Sequence, residues 1–68
     1  MKEFLIETWQ WNGTEYVPVT IGEYKSHVKA MEAFEGIRLD DRTPQADLYE
    51  VIKDNGEEVE RTLILRRG

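Results

Sequence analysis

The sequence predicts an α+β fold, a two-layer ββαββ arrangement in which an antiparallel sheet carries one helix packed on one face. Asn12-Gly13 joins two runs of alternating residues, a helix-forming segment follows Ser26, and a second turn signal at residues 54–56 separates two further β-rich runs. The 68 residues have room for one small domain, residues 1–68, whose core must be of limited size.

The first hairpin is predicted from strands at about residues 3–11 and 14–21. Asn12-Gly13 suits a two-residue type I′ turn, because both central residues of that turn need positive φ. In this register Trp9 faces Tyr16, and Phe4 faces Ile21. Pro18 lacks an N–H group, which places the second strand at a sheet edge.

Side chains alternate across a sheet, so the hairpin has one core face and one outer face. The core face is predicted to carry Phe4, Ile6, Thr8, Val17, Val19 and Ile21. The outer face is predicted to carry Leu5, Glu7, Trp9, Trp11, Thr14, Tyr16, Pro18 and Thr20. A bulge in the turn would shift the pairing by one residue and exchange the faces of one strand relative to the other.

The segment HVKAMEAFE is predicted to be helical, with Ser26 as N-cap and Gly36 at its end. Apolar residues recur in it at helical spacing and form one stripe: Val28, Met31 and Phe34, flanked by Ala30 and His27. A T-x-x-E capping box at Thr20 offers an earlier start. We prefer Ser26, because Tyr24 and Lys25 suit the end of a strand.

The second half is predicted to contain a turn-rich connection followed by strands at about residues 48–53 and 58–65. Asp54-Asn55-Gly56 suits a three-residue hairpin loop with Gly56 in the left-handed region. A helix over residues 44–54 is the alternative, since Thr43-Pro44 suits a helix start. We favour the strand because Tyr-Glu-Val-Ile has β propensity and the last strand needs an antiparallel neighbour.

The charge balance argues against several classes of partner. Fourteen acidic and nine basic residues give a net charge of −5, which repels phosphate and makes nucleic acid an unlikely partner. Neither a signal peptide nor an apolar run long enough to cross a membrane is present, so we expect a cytoplasmic protein without a membrane partner. The absence of cysteine fits a reducing compartment.

No motif predicts catalysis, a metal or a cofactor, and we expect a protein that is not an enzyme. One histidine and no cysteine cannot supply the three or four ligands of a zinc site. Ser26 and His27 are adjacent at a helix start, where Ser26 acts as a cap rather than as a nucleophile. Asp40-Asp41 lies in a loop, where carboxylates serve solvation more often than acid–base chemistry. The five glycines form no nucleotide-binding pattern.

Trp9, Trp11 and Tyr16 are the candidate binding residues, because aromatic side chains on a sheet face are enriched at protein interfaces. The predicted function is that of a small acidic binding module, acting through its outer sheet face on a protein partner or on a second copy. Apolar residues on both predicted faces support it: Leu5, Trp9, Trp11, Leu48 and Ile52. The alternative is that the aromatic pairs only stabilise the hairpin.

Two further functions remain open from the sequence. The first is an acidic inhibitor that mimics nucleic acid, suggested by one glutamate cluster at residues 57–60 and another formed by Glu23, Glu32 and Glu35. The second is binding of single-stranded nucleic acid, with bases stacked on the aromatic residues beside Lys2 or Arg61.

Overall fold

The computed structural model describes all 68 residues and contains four strands and one helix. In chain order these are β1 (Lys2–Trp11), β2 (Tyr16–Tyr24), α1 (His27–Glu35), β3 (Gln45–Asp54) and β4 (Glu57–Arg67). The strands form one antiparallel sheet in the order β2-β1-β3-β4. The predicted two-layer ββαββ fold is therefore confirmed, and β2 and β4 are the edges.

The core lies between α1 and one face of the sheet. Even-numbered residues of β1 and β3 point toward the helix and bury their side chains there, as alternation requires. The buried cluster consists of Phe4, Ile6, Ala30, Phe34, Ala46 and Leu48. Burying one large apolar side chain contributes roughly 1.5 to 3 kcal/mol. The helix packs across β1, β2 and β3, but no Cα atom of α1 lies within 8 Å of one in β4.

The helix begins where the sequence predicts. Ser26 is the N-cap, and its hydroxyl accepts a hydrogen bond from the Lys29 amide. Gly36 ends the helix with φ −81°, in the right-handed region. Val28, predicted in the apolar stripe, is instead 65% exposed, because Ala30 and Phe34 supply the buried face of this short helix. Too short to cross a bilayer, α1 is no candidate for a membrane-spanning segment.

The first hairpin differs from the prediction in its turn. Residues 12–15 form a wider loop, in which the Asn12 side-chain oxygen accepts hydrogen bonds from the amides of Thr14 and Glu15. Trp11 therefore pairs with Tyr16, and Trp9 pairs with Pro18 rather than with Tyr16. A shift of two residues preserves the side-chain faces.

A bulge in β2 corrects the prediction for Ile21. The pairing passes from Ile6–Gly22 to Glu7–Thr20, so Ile21 has no partner and is 45% exposed. Phe4 consequently pairs with Tyr24 instead of Ile21. The side chains of Val17 and Val19 still lie on the helix side of the sheet.

The second hairpin confirms strand over helix for residues 44–54, and it has a shorter loop than predicted. Asp54 pairs with Glu57, which leaves only Asn55 and Gly56 in the turn. Their φ angles are 55° and 83°, the combination that a type I′ turn requires. Both strands are longer than predicted, since β3 begins at Gln45 and β4 extends to Arg67.

Candidate functional site

The sheet face opposite the helix, here called the outer face, is covered by no other element. Odd-numbered residues of β1 and β3 point to it. Across the sheet, Trp9 lies between Pro18 and Gln45, and Glu7 lies between Thr20 and Asp47. The outer face is thus a surface that carries side chains from all four strands and that no other element covers.

The three candidate residues, Trp9, Trp11 and Tyr16, lie together at one end of the outer face and are called the aromatic surface. The rings of Trp11 and Tyr16 meet edge to face, with centroids 5.0 Å apart and planes at 62°. Trp11 is 41% exposed and Tyr16 is 46% exposed, whereas Trp9 is half-buried. Edge-to-face packing is a favourable arrangement for aromatic pairs, so the two exposed rings stabilise one another.

The loop after the helix is hydrogen-bonded to two residues of the aromatic surface. The Tyr16 hydroxyl donates to the Asp41 carbonyl (3.0 Å), and the Trp11 amide donates to the Arg42 carbonyl (2.8 Å). The loop is itself folded around Asp40, whose carboxylate accepts hydrogen bonds from the amides of Arg42 and Thr43. Asp40 therefore shapes a loop, which is a structural use of a residue considered above for acid–base chemistry.

Trp9 is held differently from its two neighbours. Its indole Nε1 donates to the Asp47 carboxylate across the β1–β3 pair, over 3.4 Å. The ring is therefore oriented by the sheet itself, and it forms the boundary between the exposed aromatic residues and the charged part of the outer face.

Asp47 is a functional candidate that sequence reasoning missed. The residue is fully buried, and its carboxylate also accepts hydrogen bonds from Gln45, Tyr49 and Arg66, the last over 2.9 Å. Burial alone would raise the pKa of Asp47, but the hydrogen bonds from Arg66, Trp9 and Gln45 outweigh it and lower that pKa. Extending the alternation of β3 backward from Leu48 would have placed Asp47 on the outer face.

Ion pairs cross the middle of the outer face. Arg61 reaches Glu7 (2.7 Å) and Glu58 (2.8 Å), and its guanidinium lies 4.9 Å from the centroid of the Tyr49 ring. The hydrogen bonds from Arg61 lower the pKa of Glu58. Burial and the nearby charges of Asp47 and Glu7 raise the pKa of Tyr49, which stays a neutral hydrogen-bond donor.

Long charged side chains also cover the apolar residues of the outer face. Lys53 contacts Glu23 (3.0 Å) and Glu3 (3.4 Å), and the hydrogen bonds that its ammonium group donates to these carboxylates raise the Lys53 pKa. Leu5 and Val51 point to this face but are buried among such neighbours.

Not all of the apolar residues that supported the binding hypothesis are accessible on the outer face. Leu48 and Ile52 lie on the helix side, and Leu5 is only 6% exposed. Of the apolar residues that supported the hypothesis, only Trp9 and Trp11 are accessible on the outer face.

The acidic clusters do not converge on one surface. Glu23 and Glu58 are held in ion pairs on the outer face, whereas Glu32 and Glu35 belong to the helix on the other side of the sheet. Arg61, considered above as a phosphate contact, is already bonded to two carboxylates.

The rest of the surface offers no enclosed site. It has no pocket, and no group of three histidine or acidic side chains is close enough to hold a metal ion. His27 packs its ring against Phe4, with centroids 5.1 Å apart. Comparison with protein-family models, curated proteins and solved structures finds no match, so the function must be inferred from the geometry of the outer face.

Proposed function

We propose that this chain is a small binding module whose aromatic surface docks onto another protein surface, either that of a protein partner or that of a second copy. The observation that carries the proposal is the exposure of Trp11 and Tyr16 beside each other on a sheet face that no element covers. Trp and Tyr are the residues most enriched among interface hot spots.

The construction of the surface supports the proposal. The Tyr16 hydroxyl is hydrogen-bonded to the Asp41 carbonyl, and the Trp11 ring packs against the Tyr16 ring. The Trp9 indole is held by its hydrogen bond to Asp47. Side chains that are already ordered lose little conformational entropy when a partner covers them. The adjacent ion pairs are internally compensated and would form a polar rim, as is usual around an apolar interface centre.

The test compares Trp11→Ala with Val28→Ala, because both wild-type side chains are exposed and apolar but lie in different layers of the fold. Light scattering over a range of concentrations measures self-association, and affinity capture measures binding of a partner. Removal of a hot-spot tryptophan weakens binding by about 2 kcal/mol, or roughly thirtyfold.

We expect Trp11→Ala to lose the self-association or the captured partner that the wild-type chain and Val28→Ala retain. Circular dichroism of both variants verifies that the fold is intact. Equal behaviour of wild-type, Trp11→Ala and Val28→Ala chains in both measurements would refute a docking role for the aromatic surface.

A further inference from the structure

The edge strand β4 lies at the side of the sheet away from the aromatic surface. It runs over 11 residues, pairs only with β3, and is not covered by the helix. Three of its apolar side chains are exposed: Val59 by 62%, Leu63 by 41% and Leu65 by 40%. An edge strand also presents backbone N–H and C=O groups without partners, which makes it a template for another strand.

The other edge is less suited to pairing. In β2, Pro18 lacks the N–H group that a neighbouring strand would need, and the bulge at Ile21 interrupts the strand near its end. No proline occurs in β4.

The charges of β4 are arranged so that the strand complements itself. Its first residues include Glu57, Glu58 and Glu60, its last two are Arg66 and Arg67, and the segment between them contains the apolar residues 63–65. When two such strands run antiparallel, the acidic end of each lies beside the basic end of the other. Opposite charges placed across a strand pair stabilise it, and like charges destabilise it.

We propose that two copies of this chain associate through β4, with the two strands antiparallel, to form one continuous eight-stranded sheet. In the register that places Thr62 opposite the same residue of the second copy, Glu57 lies opposite Arg67 and Val59 lies opposite Leu65. Two exposed apolar side chains are then neighbours at each end of the contact.

The groups needed for this contact are available. Glu57 and Glu60 form no ion pair within the chain, since the ion pairs of β4 involve Glu58, Arg61 and Arg66. Arg66 uses Nε and Nη2 to bind Asp47, which leaves its Nη1 free. Arg67, opposite Glu57, uses only Nη1 within the chain, to bind two backbone carbonyls, which leaves its Nε and Nη2 free.

Two bulges limit how far the backbones can pair. The ladder with β3 skips Val59 and Ile64, so the regular part of β4 covers residues 60–63. Backbone hydrogen bonds between the copies belong to this central segment, and the charged and apolar side chains on either side complete the contact.

The symmetry of the pair has a consequence for the outer face. Antiparallel strands in one sheet are related by a twofold axis perpendicular to the sheet, so both outer faces lie on one side and both helices on the other. The two aromatic surfaces stand at opposite ends of the joined sheet. The inference goes beyond the proposed function, because it uses a different edge and would give the module two docking surfaces.

The experiment uses the full chain in sedimentation equilibrium and compares two double variants that change the net charge equally. Glu57→Lys with Glu60→Lys makes both ends of β4 basic, whereas Glu32→Lys with Glu35→Lys alters only the helix. We expect the dimer dissociation constant to rise about tenfold in the β4 variant and not to rise in the helix variant. We further expect amide hydrogen exchange of residues 60–63 to slow as the wild-type chain is concentrated.

Several outcomes would overturn β4 pairing: a wild-type chain that stays monomeric at every concentration, an equal loss of dimer in both double variants, or concentration-dependent protection confined to another element. Trp11→Ala separates the two proposals. A dimer that this variant abolishes forms through the aromatic surface, which contradicts pairing through β4. A dimer that it leaves intact supports the edge contact, and partner capture then tests the aromatic surface on its own.

Discussion

At the residue scale, Asp47 shows how hydrogen bonds stabilise a buried carboxylate on a sheet face that no helix covers. Four side chains donate to its carboxylate, those of Trp9, Gln45, Tyr49 and Arg66. Without such donors, burial of the carboxylate would be strongly unfavourable. The Asp47 carboxylate in turn orients the Trp9 indole, so the aromatic surface depends on a residue that a partner need not touch.

Replacing Asp47 tests this dependence. Asp47→Asn removes the charge that Arg66 binds and turns an amide donor toward other donors, so the free energy of unfolding should fall by about 2 kcal/mol. Urea unfolding at neutral pH, followed by tryptophan fluorescence, measures the loss. The control is Asp41→Asn, at an exposed loop position whose carboxylate forms no hydrogen bond, and it should be nearly neutral.

The sign of the Asp47 pKa shift adds a pH dependence to the same prediction. A carboxyl whose pKa is lowered in the folded state stabilises the fold fully above its ordinary pKa, about 3.9, and loses that contribution as the pH falls through the folded value. The difference in stability between wild type and Asp47→Asn should therefore shrink below about pH 4. An unchanged difference in acid would show that Asp47 acts through packing rather than through its charge.

At this scale the sequence predicts the faces of the aromatic side chains but not their partners. Alternation placed Trp9, Trp11 and Tyr16 on the outer face, where the structure has them. The bond from Trp9 to Asp47 joins residues 38 positions apart and depends on β1 pairing with β3, which no local pattern specifies. The sequence places Asp47 at the end of the connection before residue 48, because that stretch is rich in turn formers and charged residues.

At the scale of elements, the loop of the first hairpin is longer than the sequence predicts, and the loop of the second is shorter. Asn12-Gly13 was expected to form a two-residue turn, but the Asn12 side chain bonds two following amides and stabilises a wider loop. Asn55-Gly56, expected within a longer loop, forms the two-residue turn. An Asn-Gly pair thus predicted the existence of both hairpins. It did not predict the loop lengths, which also depend on side-chain hydrogen bonds such as those of Asn12 and on strand pairing within the sheet.

Gly56 lies in the second turn and Gly36 ends the helix, and replacing each with alanine tests the backbone conformation at the two positions. Gly56 has φ +83°, where an L-residue costs roughly 1 to 2 kcal/mol, so Gly56→Ala should destabilise the chain by about that amount. Gly36 has φ −81°, which alanine adopts freely, and Gly36→Ala should be neutral or stabilising by up to about 1 kcal/mol. Urea midpoints of the two variants measure the contrast. Equal destabilisation by both would contradict the assignment of the second turn as type I′.

At the scale of the molecule, one short helix covers three strands of a four-stranded sheet. The predicted layers and element order are confirmed, and the strand order β2-β1-β3-β4 was left open by the sequence. Local sequence patterns predict the strands and the two hairpins. The central pair, β1 with β3, joins one strand from each hairpin, and no local pattern specifies which strands meet. The arrangement leaves β4 outside the main core, attached to the helix layer chiefly by its last residues.

Arg67 connects β4 to the helix layer, and replacing it tests how much this contact contributes to stability. Its Nη1 donates to the carbonyls of Phe34 (2.8 Å) and Ile37 (2.9 Å), and its guanidinium lies 5.8 Å from the centroid of the Phe34 ring. The last turn of α1 has no basic residue of its own, so Arg67 supplies the positive charge that favours a helix C-terminus.

Arg67→Ala should therefore lower the free energy of unfolding by about 1.5 kcal/mol. Urea unfolding, at a protein concentration low enough to exclude self-association, measures this loss. Arg38→Ala is the matched control, because Arg38 is exposed and forms no ion pair or hydrogen bond, and it should change stability by less than about 0.5 kcal/mol. Amide exchange in the last turn of α1 should accelerate in Arg67→Ala alone. Unchanged exchange there would show that β4 and the helix are stable independently of one another.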